Sequence, residues 1–210
     1  MTLTLPPPLE VPWTMKPLES ARTRMEVLDD GRLHLSIVHD LISGVTPEML
    51  RWWFQHLEGD MELEGRRVPR YRVWHPRDHV AFRYGRRTDP IGPGSIFVIQ
   101  EVLARNPAWD IDVRSRVVRL DEGGFGHRPR VHGLRLARMD YTFTRVAGGT
   151  RYENSLTVGV EGRSVVTRAI NAQVRRVSFP DEKGRAWLLH NVEEVGNFEH
   201  FLPALHAREK

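Results

Sequence analysis

The chain has 210 residues, of which 40% are hydrophobic and 28% charged, so it is expected to fold as one soluble domain. The absence of cysteine excludes disulfides and cysteine-ligated metals, and no apolar run reaches the roughly 20 residues that a membrane-spanning helix needs. The net charge is +4, but the arginines that dominate the basic residues mostly alternate with apolar residues, as on the exposed face of strands, so we expect no nucleic-acid partner.

Residues 1–20 contain five prolines and predict an extended N-terminal arm in front of a single domain over 21–210. The first residues have neither the cationic start nor the apolar stretch of a signal peptide. We therefore expect a cytoplasmic protein without a membrane partner.

The first half of the chain alternates short strands with one helix. Strands over 22–28 and 32–39 flank an Asp-Asp-Gly turn, which is a hairpin signature. Thr46 followed by proline and glutamate predicts a helix start, and Gly59 a helix end. The segment 68–74 is predicted as a further strand.

The second half predicts a run of strands followed by helices. The strand candidates lie within 95–104, 112–120, 133–146 and 150–160. Helices are predicted over 163–178 and 181–202, separated by Phe179-Pro180, with Asp181 as the cap of the second. A meander of antiparallel strands followed by a long C-terminal helix predicts an α+β fold, with a ligand cavity between the sheet and the helix.

His190 and Glu194 are four residues apart on the predicted last helix, so both project from one face. That face also carries Trp187 and Phe198, and an unpaired carboxylate buried among aromatic rings is costly. The pair is thus either part of a site or a simple His–Glu hydrogen bond at the edge of a groove.

Glu101 is an acid in an otherwise apolar strand. Alternation places it on the same face as Phe97 and Ile99, with no lysine or arginine in its own strand. It either serves a site or reaches water or a neighbouring arginine at the strand end.

The segment Tyr71 to His79 contains two histidines, His75 and His79, with Asp78 near enough to orient either ring. The alternative is a turn with surface histidines. Together the three segments offer imidazole nitrogens and carboxylate oxygens, a donor set that suits Zn²⁺, with Mn²⁺ and Fe²⁺ as alternatives.

Two motifs resemble the family of 2,4-diacetylphloroglucinol (DAPG) hydrolase and phloretin hydrolase. One runs from Leu41 through Thr-Pro-Glu to Trp52-Trp53, and the other is the Tyr-x-x-Trp-His-Pro-x-Asp-His sequence at 71–79. The acid at 101 and the His-x-x-x-Glu sequence at 190–194 follow in the family's order, so that the resemblance covers roughly residues 35–200. The chain is shorter than the characterised enzymes, which leaves its substrate open.

The resemblance implies a helix-grip fold of the START or birch-pollen-allergen type. It also implies a Zn²⁺ cofactor held by His79, Glu101, His190 and Glu194. The implied activity is hydrolysis of the carbon–carbon bond between an acyl group and a phenolic ring, with a small acylphenol as substrate. A homodimer stays an open expectation.

The reaction needs a proton donor to the ring carbon. The candidates are Tyr71, His75, His132 and Tyr152, and the sequence does not choose among them. Two other functions fit the same scaffold: a non-catalytic protein that binds an aromatic or lipid-like ligand, and a polyketide cyclase or aromatase. Neither requires the two-histidine, two-glutamate set, so metal content discriminates between them and the hydrolase.

Overall fold

The computed structural model describes residues 5–130, 133–134 and 136–210. In that part of the chain the strands are β1 (Arg22–Val27), β2 (Leu33–Val38), β3 (Ile42–Ser43), β4 (Asp60–Leu63), β5 (Arg66–Pro69), β6 (His79–Arg86), β7 (Ile96–Val102), β8 (Asp110–Asp121), β9 (Gly124–Arg130), β10 (Ala137–Val146) and β11 (Gly149–Val158). The helices are α1 (Pro47–Gln55), α2 (Arg70–Trp74), α3 (Val165–Val177) and α4 (Asp181–Glu209).

The main sheet is antiparallel and curved, with the order β1-β2-β11-β10-β9-β8-β7-β6 and with β3 paired to β11. The strands β4 and β5 form a separate hairpin. The 29-residue helix α4 packs against the sheet and buries apolar residues along most of its length. The predicted α+β helix-grip architecture is thus confirmed.

Local signals in the sequence act as expected at two places. Gly31, at φ 84°, turns the chain between β1 and β2. The side-chain oxygen of Thr46 accepts a hydrogen bond from the Met49 amide at 3.3 Å and so caps α1. This helix ends at Gln55, before the predicted stop at Gly59.

Two local predictions are wrong. The segment 68–74 is the end of β5 followed by the short helix α2, in which four of the five residues are buried, so its burial does not alternate as in a strand. Asp181 is the first residue of α4 rather than its cap, and the cap position is occupied by Pro180 without a side-chain hydrogen bond.

The proline-rich residues before β1 run along the body of the fold. The Trp13 indole donates a hydrogen bond to the Asn197 side chain on α4 at 2.9 Å and stacks on His200. The Arg105 guanidinium donates to the carbonyl of Pro6 at 3.1 Å. Within the described residues, none of the helices combines the length and the apolar character that crossing a bilayer requires.

Candidate metal centre and cavity

His79 and Glu101 face each other across two paired strands. His79 is the first residue of β6, and its backbone pairs with that of Glu101 on β7. The Nε2 atom of His79 lies 3.6 Å from Oε1 of Glu101, and the imidazole is completely buried. The face of β7 that carries Phe97, Ile99 and Glu101 lines a cavity, as the alternation predicts.

His190 and Glu194 reach the same point from α4. Glu194 Oε2 lies 3.4 Å from His79 Nε2 and 3.7 Å from His190 Nε2. His190 Nε2 lies 3.8 Å from Glu101 Oε2. The structure therefore brings together four side chains that are up to 115 positions apart along the chain.

The spacing of these donor atoms resembles that around a metal ion: ligand atoms of His79, Glu101 and His190 lie within 4.8 Å of one another, and Glu194 Oε2 lies within 3.7 Å of both imidazole nitrogens. Zn²⁺ binds nitrogen and oxygen at about 2.0–2.1 Å, which puts neighbouring donors of a tetrahedron roughly 3.3 Å apart. The shortest observed separation is 3.4 Å, between His79 Nε2 and Glu194 Oε2. His79 Nε2 is also buried without any hydrogen-bond partner, as expected of a nitrogen that binds a metal ion.

The other ring nitrogen of each histidine is fixed by the protein. His79 Nδ1 lies 2.7 Å from the carbonyl of Tyr71 and His190 Nδ1 lies 3.1 Å from Asp78 Oδ2, so each can donate its proton there and present Nε2 to the centre. The Tyr71 hydroxyl donates to Glu101 Oε1, and its ring stacks on that of His79 at 3.9 Å. Tyr71 thereby contacts two of the four donors.

Burial governs the charge of the four donors. It raises the pKa of Glu194 far above its usual range and that of Glu101 to a smaller extent, and it lowers the pKa of His79 far below its usual range. Burial also acts to lower the pKa of His190, but the hydrogen bond to Asp78 and the nearby glutamates outweigh it and raise the pKa to about 9. Two largely buried carboxylates thus need a proton or a cation, and a divalent metal would supply that charge.

A second set of polar residues lies behind the four donors. Asp78 contacts His190 rather than His79, and its Oδ2 also accepts the Ala104 amide at 2.9 Å. His75 stacks on His190 at 4.3 Å, its Nδ1 accepts the Asp78 amide, and its Nε2 lies 3.1 Å from Glu193 Oε2. With both nitrogens engaged and its side chain outside the cavity lining, His75 is not placed to reach a bound ligand.

The cavity has a volume of about 250 Å³ and a predominantly apolar lining. Tyr71, Glu101, His190 and Glu194 all reach its wall. Tyr152 does not, although its hydroxyl is buried and has no hydrogen-bond partner. His132 lies outside the described residues.

Two residues of the cavity wall went unrecognised in the sequence, His127 on β9 and Tyr141 on β10. His127 Nδ1 hydrogen-bonds the Ser115 hydroxyl, and its Nε2 lies 3.4 Å from the Tyr141 hydroxyl. Burial lowers the pKa of His127 to about 3 and raises that of Tyr141 far above its usual range, so both are neutral. The alternation of polar and apolar residues around Tyr141 could have placed it on an inward face, but β9 was not predicted.

The resemblance predicted from the sequence is confirmed by comparison with known proteins. Residues 19–96 match the family model of the DAPG hydrolase PhiG domain. Phloretin hydrolase from Eubacterium ramulus is 24% identical in an alignment of 197 positions that covers 80% of this chain and 65% of that protein. The chain thus spans 65% of the length of this relative.

A solved structure supports the fold. Protein Ms6760 from Mycobacterium smegmatis superposes with a TM-score of 0.50 and 12% sequence identity, over 88% of this chain and 98% of that one. At this identity the likeness concerns the architecture alone.

Proposed function

We propose that this chain, a relative of the DAPG hydrolases, is a metal-dependent hydrolase that cleaves the bond between an acyl carbonyl and a phenolic ring. The observation that carries the proposal is the meeting of two imidazoles and two carboxylates beside an apolar cavity, whose wall Glu101, His190 and Glu194 reach. Burying two carboxylic acids is costly and does not help a protein to bind an apolar ligand, whereas a metal-dependent hydrolase uses them as metal ligands. The relative named for phloretin hydrolysis suggests an aryl ketone as substrate.

The reaction joins water to the ketone. The bond between the ring carbon and the carbonyl carbon breaks, the carbonyl carbon gains a hydroxyl to become a carboxylic acid, and the ring carbon gains a proton. Zn²⁺, which His79, Glu101, His190 and Glu194 would hold, supplies Lewis acidity toward the carbonyl and lowers the pKa of water. The protein must then recognise the phenol and deliver the proton to the ring.

Tyr141 and His127 are the residues that we assign to the phenolic ring. Burial keeps the Tyr141 hydroxyl protonated, so it can donate toward a ring carbon or a ring hydroxyl. The His127 Nε2 atom lies 3.4 Å from the Tyr141 hydroxyl and its Nδ1 contacts Ser115, so the neutral imidazole can orient that hydroxyl. Of the earlier candidates, Tyr71 already donates its hydroxyl to Glu101, which favours a role in orienting that carboxylate.

Metal analysis and a hydrolysis assay on the same preparation test the proposal. We expect about one zinc per chain and release of the acid and the free phenol from phloretin or acetylphloroglucinol, with loss of activity after chelation and recovery on adding Zn²⁺. Phloretin binding without cleavage by the zinc-loaded protein would instead identify a non-catalytic ligand-binding protein.

A pair of tyrosine variants tests the proton donor. Tyr141→Phe should lower kcat by about 100-fold or more with unchanged zinc content. Tyr152→Phe is the matched control, because that hydroxyl is buried, has no partner and lies away from the cavity wall. Equal activity of the two variants would remove Tyr141 from the mechanism.

A further inference from the structure

We propose that the cavity extends to both sides of the metal donors and that the part toward the N-terminal end of α4 holds the acyl chain of the substrate. The enzyme should therefore prefer acylphenols with acyl chains longer than acetyl. This inference rests on the proposed function and adds the substrate class to it. It depends on which side chains line each half of the cavity.

Helix α4 provides the scale along the cavity. Lys183, Trp187, His190 and Glu194 all line it. Lys183 precedes His190 by seven residues, which is about 10 Å of helix axis. The cavity therefore extends by about 10 Å from the donors toward the N-terminal end of α4, and this part is its outer half.

The inner half suits the phenolic ring. It is lined by the aromatic residues Phe54, Phe97 and Phe125, and the rings of Phe54 and Phe125 stack at 4.3 Å. The hydroxyl of Tyr141 and the imidazole of His127 belong to the same cluster, since Phe125 lies 5.2 Å from Tyr141 and 5.0 Å from His127 between ring centroids. A ring with several hydroxyls thus finds both stacking surfaces and hydrogen-bonding groups here.

The outer half suits a hydrocarbon chain. Its wall is formed by Leu156, Val158, Val174, Phe179 and Trp187. The residues with polar side chains that line the cavity near this wall include Asp110 and Asp112 at the start of β8, Ser178 after α3, and Lys183 and Asn191 on α4.

An acetyl group ends close to the donors and leaves the apolar wall of the outer half uncovered. A longer acyl chain covers this wall. Each methylene that moves from water to an apolar wall raises the binding affinity about fourfold. The gain should stop once the chain reaches Lys183 at the rim. Only the acyl side of the substrate is affected, because the ring lies on the other side of the donors.

A chain-length series tests this assignment. Acylphloroglucinols with acetyl, butanoyl, hexanoyl and 3-phenylpropanoyl chains are compared with the zinc-loaded wild-type protein. We expect KM to fall by about fourfold per added methylene over the first few carbons, with a similar kcat. A kcat/KM that is highest for acetyl and falls with each carbon would overturn the proposal.

A matched pair of variants on α3 locates the acyl chain of the bound substrate. Val174→Trp fills the outer half, whereas Val177→Trp makes the same change on the same helix at a residue that is 64% exposed and outside the cavity lining. Val174→Trp should abolish the advantage of the longer chains and retain cleavage of the acetyl substrate, and Val177→Trp should behave as wild type. Retention of the long-chain advantage in the zinc-loaded Val174→Trp protein would place the chain elsewhere.

Binding of alkylphloroglucinols, which lack the carbonyl and cannot be cleaved, separates the two proposals. Calorimetric affinity that rises with alkyl length and is lost in Val174→Trp supports the outer half as a chain site even if no acylphenol is hydrolysed. Hydrolysis with no dependence on chain length, in binding or in rate, would leave the proposed function standing and refute this inference.

Discussion

Replacement of Asp78 by asparagine tests whether the residues behind the four donors tune the metal site. Asp78 is buried, and its Oδ2 lies 3.1 Å from His190 Nδ1 and 2.9 Å from the Ala104 amide. Burial acts to raise its pKa, but the hydrogen bond and charge of His190 outweigh this and lower the pKa to about 2, so the carboxylate stays ionised. Asparagine keeps the shape and an acceptor oxygen but removes the charge.

The expected cost follows from the type of hydrogen bond that is weakened. A bond to a charged group contributes about 1.5–3 kcal/mol and a neutral one about 0.5–1.5 kcal/mol, so the change is about 1–2 kcal/mol. If His190 binds the metal, Asp78→Asn should lower zinc affinity by roughly 5- to 30-fold, because the weaker acceptor makes His190 a poorer ligand.

Competition with a chromophoric zinc chelator measures this affinity without relying on catalysis. Asp121→Asn is a suitable control, since that carboxylate is exposed, pairs with Arg119 and lies outside the cavity lining. A zinc affinity within twofold of wild type in Asp78→Asn, with an intact fold by circular dichroism, would refute the reasoning.

Three further predictions follow from buried polar groups. Glu194→Gln should release zinc and abolish hydrolysis together, so stoichiometric zinc in this variant would contradict the proposed ligand set. Burial lowers the pKa of His39 to about 4. Between about pH 6.5 and 4 the imidazole is therefore protonated in the unfolded chain but not in the native state. The free energy of unfolding should fall as the pH drops through this range, by at most about 1.4 kcal/mol per pH unit from this group. His39→Gln, measured by urea unfolding, should flatten that slope, and an unchanged slope would exclude His39 as its source. Asn171→Ala removes three hydrogen bonds between α3 and the Asp30 and Val160 backbones. It should lower the free energy of unfolding by about 3 kcal/mol and speed up amide hydrogen exchange in α3. Replacement of the exposed Gln173 by alanine should change neither.

The fold was predictable where the decisive signal is local. The turn at Gly31 and the cap at Thr46 act within a few residues, and both appear in the structure as expected. The segment at 68–74 was not predictable, because its helical turn buries Tyr71 and Trp74 against distant elements instead of exposing alternate residues. Tertiary packing overrides local preference in such short elements.

The residues of the candidate site also differ in how far the sequence alone reveals them. The pair His190 and Glu194 stands out from the sequence because helical spacing alone puts both on one aromatic face, and Glu101 stands out because an acid interrupts an apolar strand face. Their meeting with His79 depends on the pairing of β6 with β7 and on the docking of α4, which composition and spacing do not determine. The contact of His127 with Tyr141 has the same origin, since it arises only when β9 and β10 pair in one register. Side chains that a single element brings together are therefore visible in the sequence, whereas those brought together by the sheet register need a resemblance or a structure to be found.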